Sequence, residues 1–165
     1  MDTPQQVDRA FYEHLIAEDE LGMVVRAHIH IEASIVDFLK QVVPKPNLLP
    51  RLPYEAKIRL ACALGLDHDH FPALKALGDI RNNFGHDLKA QLTDDVVKRI
   101  FQALPEFSRA AAIGAYGRIL DTGIAGERPP FESLSARDRF VLIAVVLKMF
   151  AVHAAAKAHF AGVDA

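Results

Sequence analysis

No stretch of this chain sustains the apolar–polar alternation of a half-buried strand, and its apolar residues recur instead at helical spacing. The reading is all-α: a single helical bundle of about six or seven helices, covering residues 1–165 as one domain. That length buries enough apolar surface for one core. Half the residues (51%) are hydrophobic and a quarter (24%) charged, which excludes the composition of disordered or fibrous chains.

Punctuation along the chain supports the helices. Thr3 before Pro4 is a capped start, and that helix is expected to run to about Ala17. The next covers about Glu20 to Val43 and stops at the prolines of "PKPNLLPRLP". A third lies in "YEAKIRLACALGL", with Ile58, Leu60, Ala61 and Leu64 inward and Gly65 near its end. A fourth runs from Phe71 to about Phe84, with Asp69 as its expected cap. Thr93 before Asp94 and Asp95 caps a fifth. Pro105 starts or kinks the segment "PEFSRAAAIGAYGRIL", in which Gly114 and Gly117 read as close-packing positions. After the loop "DTGIAGERPP", Ser135 and Asp138 form a variant capping box for the last helix.

The segment "FVLIAVVLKMFAVHAAAKAHF" is interrupted by Lys148, His153 and Lys157, whereas a membrane span needs about 20 predominantly apolar residues. It reads as a buried helix, either central to the bundle or pressed against a second copy, and a homodimer is expected. The N-terminus "MDTPQQVDRAF" resembles neither a signal nor a transit peptide, so the expected address is the cytoplasm. A formal charge of −2 excludes a chain-wide basic footprint for nucleic acid. The single cysteine, Cys62, reads as a small core residue whose pKa burial raises.

Two polar residues stand in an apolar face. Projected at about 100° per residue around Glu32, the second helix places His28, Leu21, Val25, Ile29, Ile35 and Leu39 on the same side. A carboxylate there needs a cation or donors, and Arg81 of the fourth helix is the expected partner. Behind Arg81 the chain reads "DIRNNFGHD". Arg81 and His86 are five apart, roughly 140° round an unbroken helix. A left-handed Gly85 would end the helix and fold His86 back, leaving Asn82 and Asn83 to bond freed carbonyls or a ligand. So arranged, Arg81 stabilises charge on a phosphorane and His86 moves a proton at a ribose hydroxyl or leaving oxygen. In the bland alternative Gly85 and His86 simply close the helix and Arg81 is a structural ion-pair partner.

"RNNFGH", Arg81 to His86, resembles the signature of the HEPN superfamily of α-helical domains. Many members are metal-independent RNases whose dimer joins two such motifs; the resemblance implies Arg81 and His86 as the catalytic pair and Asn82 as the polar residue after the arginine. A longer stretch, "EAKIRLACALGL" followed by "FPALKALGDIRNNFGHD", is similar to the mannitol operon repressor family over about Glu20 to Leu104. That similarity implies a helical bundle that regulates transcription through protein contacts, without a DNA-binding motif. No helix-turn-helix with a basic recognition helix is evident.

The first expectation is therefore a cytoplasmic transcriptional regulator with a protein partner, whose polar site comprises His28, Glu32, Asn82 and Asn83 with Arg81 and His86. The alternative is an RNase that uses Arg81 and His86 on RNA. Neither reading calls for a cofactor or metal, and "DHDH", Asp67 to His70, is too short a run to supply a complete tetrahedral site.

Overall fold

The structure is a computed structural model and describes residues 4–119 and 129–163. Over them the chain forms seven α-helices and no strand: α1 (Pro4–Ile16), α2 (Glu20–Val42), α3 (Tyr54–Ala63), α4 (Phe71–His86), α5 (Asp94–Ala103), α6 (Glu106–Ile119) and α7 (Ala136–Val163). The expected cap at Thr3 and residues 121–128 of the "DTGIAGERPP" loop lie outside the described residues.

Local signals set most of the boundaries. Asp19 accepts a bond from the Gly22 amide at 2.7 Å to open α2, and Val43 turns extended before the prolines. Thr93 accepts from Val96 at the start of α5. Ser135 and Asp138 close the expected capping box, with Oγ to Oδ2 at 2.7 Å and the Asp138 amide to Oγ at 3.0 Å. Gly65 takes a left-handed conformation (φ +106°) just beyond α3, as a glycine past a helix end permits. Leu64 at that end is 39% exposed rather than inward. Nor does Asp69 cap α4. Asp67 accepts from the Asp69 amide and caps a short 3-10 turn over His68–His70, which leads straight into the helix.

Every residue from Phe140 to Leu147 is buried, because α7 packs most heavily on α2 and also meets α1, α5 and α6. Among the described residues α7 is the one helix long and apolar enough to cross a membrane, and half of its apolar window is covered by the bundle. The run from Phe140 to Leu147 is thus enclosed by its own chain, while Met149 and Val152 farther along α7 are exposed. Arg137 anchors its start by donating to the carbonyls of Ile16 and Glu18, and Arg139 pairs with Asp94 of α5.

Packing against α7 also fixes the rotation of α2. Its buried residues are Met23, Val24, Ala27, His28, Ile31, Ile35, Phe38 and Leu39. That face is turned by roughly 90° from one centred on Glu32; Leu21 and Ile29, expected inside, are exposed, and Glu32 stands on the flank.

Candidate functional site

The flank of α2 that carries His28 and Glu32 faces the start of α3 and the second half of α4. A cleft of about 400 Å³ opens there, lined by His28, Glu32, Tyr54, Asp79, Arg81 and Asn82 among others. The expected gathering of an α2 acid and imidazole with the α4 guanidinium is therefore present as a shared cleft.

The partner of Glu32 is a different one. Lys57 of α3 donates to Glu32 Oε1 at 2.5 Å, with both side chains about three-quarters buried. Arg81 is exposed and its Nη1 donates to Asn82 Oδ1 at 3.1 Å. Lys57 reaches the acid because it lies one turn beyond Tyr54, on the edge of the face that buries Ile58 and Ala61. Projecting α3 as α2 was projected would have placed it there.

His28 is 5% exposed, stands 3.6 Å through Nδ1 from Glu32 Oε2, and packs its ring on Tyr54 at 4.3 Å between centroids. Its pKa is lowered, first by burial; Glu32 opposes this and the charges of Arg81 and Lys57 add to it. Tyr54 donates its hydroxyl to the Leu74 carbonyl at 3.0 Å, and burial followed by the Glu32 charge pushes its pKa far up. The Cδ1–Cε1 edge of the ring comes this close to α4 because residue 78 is glycine: a Cβ there would stand 2.8 Å from Tyr54 Cδ1 and 2.9 Å from Cε1. Overpacking costs about 1–3 kcal/mol, while alanine's helix preference over glycine returns at most about 1 kcal/mol. Gly78→Ala is thus expected to lower the denaturation midpoint and shift the Tyr54 ring resonances.

His86 does not join this cleft. The helix continues through Gly85, which is not left-handed, and stops when Asp87 turns extended, its amide bonded to the Asn83 carbonyl at 2.9 Å. Arg81 and His86 therefore keep the roughly 140° separation of a regular helix. Asn83 lines a separate groove between α4 and α5 with Phe84 and Ile100. Asn82, Asn83 and His86 are all exposed.

Outside the cleft, His70 of the "DHDH" run is a core residue. Its ring stacks on Phe150 at 3.5 Å, its Nε2 meets Ser108 Oγ at 2.7 Å, and its Nδ1 faces Asp67 Oδ2 at 3.6 Å, too long for a hydrogen bond and with no closer partner among the described residues. No group of three metal-capable side chains gathers among the described residues. Cys62 is half-buried with its pKa raised by burial and then by Asp67. For His70, as for His28, burial lowers the pKa from 6.5; Asp67 and Asp69 oppose it. Because the folded values lie below the unfolded one, the unfolded chain binds more protons just below pH 6.5. The stability these two residues contribute is complete above that pH and declines as pH falls through the lowered values. Denaturation midpoints between about pH 7.5 and 5.5 should show this slope, and His70→Gln should flatten it.

Comparison with protein families, with curated proteins and with solved structures found no match. The functional reading accordingly rests on the chemistry of the cleft and on the sequence resemblances described above.

Proposed function

We propose that this chain is a cytoplasmic transcriptional regulator of the mannitol operon repressor type, a binding module that acts by contacting another protein. The observation that supports it is the division of the motif. Arg81 shares a cleft with His28 and Glu32, while His86 stands apart on the helix end. One chain thus gathers Arg81, His28 and Glu32 around one cleft without bringing His86 beside Arg81. A formal charge of −2 favours a protein partner over direct DNA contact. The proposal includes a homodimer, tested by sedimentation of the purified protein.

Deleting the gene and measuring transcripts tests the reading. Selected transcripts should rise, wild type should restore them, and Arg81→Glu should not. The purified protein alone should leave the upstream DNA of those genes unshifted in a gel. Unchanged transcripts, or a specific DNA shift by the protein alone, would contradict it.

A second reading, a metal-independent HEPN-type RNase, draws on the exposure of Arg81, Asn82, Asn83 and His86, which leaves the motif open to RNA and to a second copy. In EDTA with single-stranded RNA, cleavage by wild type and none by His86→Ala would establish the enzyme. Intact RNA in both would leave the binding module.

A further inference from the structure

The charge inventory of the cleft selects a class of small ligand. Its lining carboxylates each hold a cation of their own: Glu32 pairs with Lys57 at 2.5 Å, Asp79 with Lys75 at 2.9 Å and Glu55 with Arg59 at 2.7 Å. Among the described residues Arg81 has no carboxylate within 4.0 Å, and the Asn82 side chain is its hydrogen-bonding partner. One positive charge is thus left over, on the group best shaped to grip a planar anion through two parallel N–H bonds. Also lining the cleft, His28 is 5% exposed, with its Nδ1 3.6 Å from Glu32 Oε2. Leu52 and Pro53 supply an apolar wall.

We propose that this cleft binds a small organic monocarboxylate, with the carboxylate on the Arg81 guanidinium and the hydrocarbon body against Leu52 and Pro53. A single negative charge cancels the single uncompensated positive one. A phosphate dianion brings a second negative charge towards Glu32 and Asp79, where no free cation among the described residues meets it. The volume, about 400 Å³, falls within the range of small-molecule sites. This goes beyond the regulatory reading and does not depend on it. If both hold, the acid is an effector that competes with the protein partner for Arg81.

The test is an NMR titration of the ¹⁵N-labelled protein with propionate, 1-propanol and inorganic phosphate at constant ionic strength, following Arg81 Nε–H and the His28 ring. Propionate should give saturable shifts at both residues with a Kd on the order of millimolar. 1-Propanol should give none, and phosphate should bind at least about tenfold more weakly. Arg81→Gln, at an exposed position, should keep the wild-type melting curve and weaken propionate binding by about tenfold or more. Shifts that never saturate, phosphate binding as tight as propionate, or full propionate binding by Arg81→Gln would each overturn the proposal. None of these outcomes bears on the transcript measurement, so the two ideas fail separately.

Discussion

Phe140→Ala is expected to destabilise the protein by about 3–5 kcal/mol, the usual cost of removing a buried phenylalanine and leaving a cavity. Phe140 has no exposed surface and opens the run to Leu147 that is buried all round. Because α7 touches α1, α2, α5 and α6, a void there has few ways to collapse. Urea denaturation followed by circular dichroism should show a much lower midpoint, against little change for Val152→Ala, which is 45% exposed on the same helix. A small effect at Phe140 would mean that α7 is not the centre of the bundle.

Glu32→Ala should cost about 2–3 kcal/mol, less than a fully buried pair because water reaches a quarter of each side chain. The loss comes chiefly from Lys57, left partly buried without its carboxylate. Lys57→Met in the Glu32→Ala background should therefore recover part of the loss, since the stranded ammonium is removed while its apolar stem is kept. Additive losses in the two single variants would show that the residues do not interact. Losing Glu32 also removes the charge that opposes the lowering of the His28 pKa, so the His28 midpoint should fall further.

The elements were legible where local chemistry fixes them. Thr93 and the Ser135–Asp138 box announce their helices because a side-chain oxygen beside free amides has few better uses. The all-apolar run in α7 announces a central helix because no face of it prefers water. Half of the site was legible too: His28 and Glu32 are four apart, so one inward residue brings its neighbour to the same surface.

The rest depends on long-range packing. The rotation of α2 is decided by α7, which lies at the other end of the sequence, and this is why a face centred on Glu32 misplaces Leu21 and Ile29. Lys57 competes with Arg81 for Glu32, and only the docking of α3 against both helices decides which cation arrives. Gly85 illustrates a permission that is not taken. Glycine allows a left-handed stop, yet the last turn of α4 keeps its helical bonds and the chain leaves through an extended Asp87.

The most direct measurement is a comparison of histidine ring signals by NMR in wild type and Arg81→Gln across a pH series. Removing the guanidinium takes away a positive charge that disfavours the His28 imidazolium, so the His28 midpoint should rise. If that midpoint stays fixed and the His86 ring signals move instead, Arg81 works with the helix-end histidine and the cleft described here is not its site.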